Sequence, residues 1–320
     1  MDFQEALQSV TQLRSGIEQV IRGKHHEIDL VLTCLLSGGH ILLEDNPGTG
    51  KTVLAKTLAA ALSNDDYGFK RVQFTPDLMP MDLLGTHVYN AERHDFEFKK
   101  GPLFTHVLLA DEINRASPKV QSALLECMAE KQISIGEQTY PLSDVFFTIA
   151  TQNPIEMDGT YPLPAAQLDR FSMKINFGYA DEATEWDIFN HYQTIQTASK
   201  QIVPLMSLET LRECRALVDG VFVHEQLLRA ILHIVRATRS HASIQIGAST
   251  RAGIAFIQCL KAYAFLQGRD YANEDDLLQI GLPVLHHRCV FSNQEKSIEI
   301  ISTILHDAVR NLSRNNSTKS

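Results

Sequence analysis

Cysteine is scarce and scattered. Cys34, Cys127, Cys214, Cys259 and Cys289 are odd in number, far apart and form no Cys-x-x-Cys. That pattern suggests neither a disulfide framework nor a thiolate zinc site, and it fits a reducing compartment. Long apolar runs are missing too. The longest charge-free one, Leu30–Leu43, has 14 residues, whereas a membrane-spanning helix needs about 20. The acidic start Met1–Glu5 lacks the basic-then-apolar pattern of a secretory signal, so a cytoplasmic location is expected. There is no excess of positive charge: Lys+Arg is 29 against Asp+Glu 38, net −9. A protein that wraps nucleic acid non-specifically is normally basic, so that class is disfavoured, and Lys99-Lys100 is too short for a basic patch. No His-Glu-x-x-His occurs. His25-His26 and His286-His287 are adjacent pairs that diverge on a helix, which does not suggest a metal site. The single tryptophan, Trp186, and the phenylalanines read as packing rather than as a stacking platform for bases.

What remains is an ordinary globular composition, 44% hydrophobic and 21% charged, which excludes disorder over most of the chain. Its 320 residues suggest two domains. The first half alternates short apolar strands with helical patterns. Strands are expected at His40–Leu43, Lys70–Thr75, His106–Ala110, Val145–Thr151 and Met173–Phe177. Helices are expected at Thr52–Leu62 and Pro118–Lys131, the latter capped by Ser117 with Pro118 in its first turn. Val120, Ala123, Leu124, Cys127 and Met128 fall on one face of it. Such alternation predicts a parallel sheet covered by helices, an α/β fold.

From about Asp181 the periodicity is helical. Leu227, Leu228, Ile231, Leu232 and Val235 form one stripe; Ile254, Ile257, Leu260 and Phe265 lie on another helix. Asn273 is placed to cap a helix opening with Glu274, Asp275 and Asp276, acids suited to its positive end. The end, Arg314–Ser320, reads as a frayed tail. The boundary is expected between about Gly178 and Ser207, giving a core at 1–180 and a linker with a helical domain at 181–320. The core carries 15 basic and 23 acidic residues, the remainder 14 and 15. The acidity therefore sits on the core, and this too favours a protein partner over a nucleic acid.

Pro47-Gly48-Thr49-Gly50-Lys51-Thr52 follows one of the expected strands and opens a helix, the context of a phosphate-binding loop. Backbone N–H groups of such a loop and of the helix N-terminus converge on one anion. Lys51 supplies a charge for the β- and γ-phosphates, and Thr52 a hydroxyl for Mg²⁺. The usual Gly-x-x-x-x-Gly-Lys-Thr would place Gly at position 45; here it is Asp45. Downstream, Val107–Ala110 is an apolar strand ending in Asp111-Glu112, with Asp111 lying 60 residues after Lys51. Acids at the end of a parallel strand lie on the ligand edge of a sheet. Asp111 suits Mg²⁺, and Glu112 suits the orientation or activation of an attacking water. Asn153, after the next strand, either holds that water or touches the γ-phosphate, or else caps the turn before Pro154. Arg170 beside Asp169, and Arg251 at the start of a later helix, are by themselves compatible with ordinary ion pairs.

Taken in order, these features resemble an AAA+ ATPase, more specifically the MoxR family. The matching stretches are Glu44–Thr52, Phe74–Leu78, Asp111–Ala116, Gln121–Glu126, Ala150–Pro154, Gln167–Phe171 and Gly247–Ala252, and the resemblance runs from about residue 10 to 310. It implies a P-loop αβα sandwich followed by an all-α lid. It implies that Asn153 is sensor 1, that Arg170 is an arginine finger acting on a neighbouring subunit's nucleotide, and that Arg251 is sensor 2. The nucleotide contacts implied are Ile21, Arg22 and Gly23 against the adenine, with Asn46, Pro47, Gly48, Thr49, Gly50, Lys51, Thr52 and Val53 around the phosphates. Thr52 and Asp111 would hold Mg²⁺. Arg115 is a second residue for action across the interface. Ser134–Leu142, with Gly136 at its turn, resembles a hairpin before sensor 1, and Asp77–Phe98 resembles an insertion that lines a pore or faces partners. A finger acting in trans generates a ring, expected to be a hexamer. The activity implied is ATP hydrolysis that remodels or matures a protein client, through metal or cofactor insertion in some members, often a client with a von Willebrand factor A domain. A DNA-associated motor and a nucleotide-gated scaffold with little turnover are the alternatives.

Overall fold

A computed structural model describes residues 1–44, 48–62, 68–153 and 159–317. It opens with two helices, α1 (Phe3–Glu18) and α2 (His25–Leu36). Asp2 and Glu5 form a reciprocal capping box at the start of α1, and Ala6, Val10, Leu13 and Ile17 bury one face of it. The strand β1 (Ile41–Glu44) follows, then α3 (Lys51–Leu62), β2 (Phe69–Gln73) and the short α4 (Pro80–Leu84). An antiparallel hairpin of β3 (Gly85–Asn90) and β4 (Asp95–Lys100) precedes β5 (Val107–Asp111). After a 3-10 turn at Ile113–Arg115 come α5 (Pro118–Glu130), a second hairpin of β6 (Gln132–Ile135) and β7 (Gln138–Pro141), then β8 (Phe147–Gln152), α6 (Ala165–Leu168) and β9 (Met173–Asn176). The remainder is α7 (Glu182–Gln201), α8 (Leu208–Asp219), α9 (Glu225–Ser240), β10 (Ile244–Ile246), α10 (Thr250–Leu266), α11 (Glu274–Leu285), β11 (Val290–Phe291) and α12 (Ser297–Ser317).

Among the described residues five strands form one sheet in the order β2-β5-β8-β1-β9, and each neighbouring pair is parallel. The interior strands β1, β5 and β8 are buried on both faces almost to their ends, which is why they read as continuous apolar runs rather than alternating ones. One apolar cluster joins a face of the sheet to α1, α2 and α3 and continues into the later helices through residues such as Phe256, Phe265 and Leu277. A second lies on the opposite face, around Phe74, Leu108, Phe146 and Phe171.

The run Leu30–Leu43 ends α2 and begins β1, with Gly38 at φ +70 between them, in keeping with the strand expected at His40–Leu43. Several other details differ from the sequence reading. Ser117 stands at the N-cap of α5 but makes no side-chain cap; its carbonyl instead accepts from the N–H groups of Val120 and Gln121. The second half is helical as expected, with one addition: β10 and β11 form a small antiparallel ribbon. Leu228, Leu232 and Ile254 are exposed, so the buried stripe of α9 is Leu227, Ala230, Ile231, Ile234 and Val235. Asn273 does cap α11, its side chain accepting from Asp276 N. Of the expected tail Arg314–Ser320, residues 314–317 belong to α12 and 318–320 lie outside the described residues. Trp186 does not pack. It is 67% exposed, alongside Phe189 and Tyr192, on α7, none of whose residues is buried.

His40, just before β1, is fully enclosed. Its Nδ1 accepts from Thr148 N at 3.0 Å, so Nε2 donates to the carbonyl of Met128 at 3.1 Å. Burial pushes its pKa down to about 4. Because the folded value lies below the unfolded one, its contribution to stability is complete above about pH 6.5. It is lost as pH falls towards 4, a change on the order of 3 kcal/mol. Buried His287 acts in the same direction. Urea midpoints should therefore fall between pH 7 and pH 5, and His40→Gln should flatten that fall. An equally steep fall in the variant would contradict the assignment.

Candidate functional site

The strand order brings three sequence-distant segments side by side. At the carboxyl ends of β5, β8 and β1 stand Asp111-Glu112, Thr151-Gln152-Asn153 and the loop that opens α3. They line a cleft of about 410 Å³ with Gly48, Thr49, Gly50, Lys51, Thr52 and Val53, joined by Arg71 and Gln73 from β2. Ligands bind at this edge of parallel sheets. Gly48 and Gly50 adopt φ +89 and +94. A Cβ at either would meet no neighbour within 4 Å, so backbone conformation, not space, is what requires glycine there.

Hydrogen bonds lock the acidic pair to the sheet. Thr151 Oγ1 donates to Asp111 Oδ1 at 2.6 Å and accepts from Glu112 N at 2.9 Å, so one hydroxyl stitches β5 to β8. The second Asp111 oxygen accepts from Arg71 Nη2 at 2.6 Å. Glu112 sits in the left-handed region, φ 56 and ψ 51, a conformation that costs a non-glycine residue about 1–2 kcal/mol. Its Oε2 accepts from Gln73 Nε2 at 2.6 Å and pairs with Arg115 Nε at 3.0 Å. Both carboxylates thus have cationic or amide partners within the chain. At the foot of the loop, Glu44 is held by Gln152 Nε2 at 2.6 Å and by Lys174 Nζ at 2.5 Å, which braces the end of β1 across β8 and β9. The Thr52 hydroxyl and the Asp111 carboxylate share the cleft and are both hard oxygen donors, a set that fits Mg²⁺.

The structure therefore brings together Gly48, Thr49, Gly50, Lys51, Thr52, Val53, Asp111, Glu112 and Asn153. Asn46 and Pro47 lie outside the described residues. Ile21, Arg22 and Gly23 do not line the cleft. Ile21 is buried, while Arg22 and Gly23 face a separate groove with Asp181 and Thr184. Gly23 has φ +67, and a Cβ there would come within 2.5 Å of the Thr184 side chain. Arg251 is exposed in the first turn of α10. Arg170 is half-buried after α6, its Nη1 donating to the carbonyl of Leu125 at 2.7 Å. Arg115, read as acting across an interface, is paired here with Glu112 of its own chain. Sequence reasoning missed Arg71, Gln73, Thr151 and Gln152. The one available signal was the spacing of Arg71 and Gln73, two apart and so on the same face of an expected strand.

Comparisons with known proteins agree with this geometry. Residues 40–173 match the model of the ATPase family associated with various cellular activities (AAA), and residues 236–307 match an AAA lid domain. The chain is 42% identical over 280 residues to the uncharacterized protein YeaC of Bacillus subtilis, covering 88% of this chain and 86% of that one. It is 40% identical over 298 residues to Chaperone MoxR1 of Mycobacterium tuberculosis, covering 90% and 78%. It is 32% identical over 307 residues to Protein MoxR of Paracoccus denitrificans, covering 87% of each. The crystal structure of a candidate ATPase from Cytophaga hutchinsonii superimposes with a TM-score of 0.85 at 40% identity, covering 95% of both chains.

Proposed function

The chain belongs to the MoxR family of AAA+ ATPases, and on that premise we propose that it hydrolyses ATP in a ring, expected to be a hexamer, to remodel or mature a protein client. The observation that carries this reading is the convergence of Gly48–Thr52, Asp111-Glu112 and Asn153 on one cleft. The loop N–H groups and Lys51 bind the phosphates of ATP. Thr52 and Asp111 hold Mg²⁺, which when bound offsets phosphate charge. Glu112 orients a water towards the γ-phosphate and accepts its proton, with Asn153 fixing the water's position. Gln73 and Arg115 both hold Oε2 of Glu112, so the proton is accepted at Oε1. Arg170 of a neighbouring subunit stabilises the charge that spreads over the phosphoryl oxygens. Arg251 reaches the phosphates from the helical part, residues 181–320, which acts as a lid on the core, residues 1–180. The resemblance puts the adenine beyond the phosphate cleft, against Ile21, Arg22 and Gly23, of which Arg22 and Gly23 line a separate groove. ATP then bridges core and lid, and hydrolysis changes the angle between them.

The client reading rests on two features. The relative named as a chaperone covers most of the chain. The hairpin of β3 and β4 also exposes Val88, Tyr89 and Phe96, with Met79 and Met81 exposed beside it. Its Phe98 stacks on Tyr140 of the second hairpin, ring centroids 4.3 Å apart, so the two hairpins form one partner-facing surface. The resemblance extends the proposal to a client with a von Willebrand factor A domain and to metal or cofactor insertion, in the cytoplasm. The acidic core favours a protein over DNA.

Lys51→Ala tests the phosphate site. Losing one charged hydrogen-bond donor should weaken ATP affinity by about 10- to 100-fold. Fluorescent-nucleotide titration reads this directly, and unchanged affinity would reject the loop as the phosphate site.

A further inference from the structure

The turn that carries Arg170 is gripped by groups from the far end of the chain. Both oxygens of Asp169 are engaged. Oδ1 pairs with Arg288 Nε at 2.8 Å, and Oδ2 accepts from Ser249 Oγ at 3.0 Å. The Arg288 side chain is 2% exposed. Its remaining N–H groups donate to the carbonyls of Ser172 at 3.0 Å and Phe171 at 2.7 Å, and to that of Val284. His287 Nε2 donates to the same Phe171 carbonyl at 3.0 Å. Arg170 lies between these clamped residues. Ser249 in turn is the N-cap of α10, its Oγ accepting from Ala252 N at 3.0 Å, and Arg251 occupies that helix's first turn. A single hydroxyl therefore ties the first turn of α10 to the residue before Arg170. Burial makes the grip stiff: Arg288 loses solvation, and removing its carboxylate partner would leave an uncompensated buried charge. The Ser249–Asp169 hydrogen bond is itself exposed, and it is the contact by which a shift of the first turn of α10 would reach the clamped turn at Asp169.

We infer that Asp169, held by Ser249 and Arg288, is a positioning residue through which the lid of one subunit sets where its Arg170 stands at the neighbour's nucleotide. This rests on the reading of Arg170 as a finger acting in trans. Nucleotide engaged by Arg251 in one subunit then biases hydrolysis in the next, through an intrachain connection two residues from Arg251 and one from Arg170.

The link makes a directional prediction. Asp169→Asn should bind a fluorescent ATP analogue with unchanged affinity, because its own cleft is intact. Its homogeneous assemblies should turn over ATP about 10- to 100-fold more slowly, the scale of loss for a misplaced catalytic group. Mixing with excess Glu112→Gln subunits, which hydrolyse only slowly but carry an intact link and finger, should restore turnover per Asp169→Asn subunit, once the slow background of Glu112→Gln alone is subtracted. Ser249→Ala, which keeps the ion pair with Arg288, should show a smaller loss with the same rescue. It carries the test if the asparagine variant does not fold, and Ser249→Thr should return to wild-type turnover. Arg170→Ala is mixed in parallel. Rescue of Arg170→Ala without rescue of the Asp169 or Ser249 variants overturns the link and leaves the finger standing. Failure to rescue Arg170→Ala overturns the finger reading, and the link with it. Full turnover in unmixed Ser249→Ala also overturns the link.

Discussion

Arg170→Ala is expected to slow ATP hydrolysis by about 10³–10⁵-fold, the effect of removing an arginine finger, while ATP affinity in the same chain stays the same. The expectation follows from where the residue stands. Arg170 does not line the cleft of its own chain; it follows α6 and rests on the carbonyl of Leu125. It therefore contributes nothing to ground-state binding in that cleft. If it acts, it acts after leaving a neutral carbonyl for the far more negative phosphoryl oxygens of a neighbour. Losing an interaction made only in the transition state lowers kcat and leaves binding untouched. Phosphate release at saturating ATP, beside a nucleotide titration, separates the two. A variant with wild-type turnover would remove the trans finger from the account.

Glu112→Gln is expected to lower turnover by about 10²–10⁴-fold, the range for loss of a general base, with ATP retained. Glutamine has nearly the same shape, so the left-handed turn at residue 112 and the hydrogen bond from its N–H to Thr151 should survive. Asp111, Thr52 and Lys51 are untouched, so the phosphates and Mg²⁺ should bind as before. What is lost is the carboxylate charge. With it go the attraction to Arg115 and, because an amide is not a base, the ability to take a proton from water. A single-turnover assay should find ATP bound and slowly cleaved. Normal cleavage would move the base elsewhere, and loss of ATP binding would assign Glu112 to the binding of nucleotide rather than to its cleavage.

The parts of this account legible in the sequence were those with a local signature. The apolar strands β1, β5 and β8 stood out because they are buried on both faces. The Gly48–Thr52 loop stood out because its glycines, lysine and threonine serve adjacent functions, and Asp111-Glu112 because two acids close an apolar run. The strand order was not legible, since parallel neighbours are joined by long crossovers and carry no mark of their partner. For that reason Arg71 and Gln73 were missed: they matter only once β2 lies beside β5, where Gln73 registers with Asp111. The grip on Asp169 was hidden for the same reason, as Arg288 lies 119 residues away. Trp186 misled because a large aromatic is normally buried, and only the path of α7 shows that this one faces solvent.

The central claim, that the cleft hydrolyses ATP only with a neighbour's help, is tested most directly by specific activity against protein concentration. Phosphate release per subunit at saturating Mg²⁺-ATP would be measured across the range in which light scattering reports assembly. The account predicts activity that rises with assembly and is close to zero for isolated chains. Constant activity per subunit, with full turnover by monomers, would contradict it.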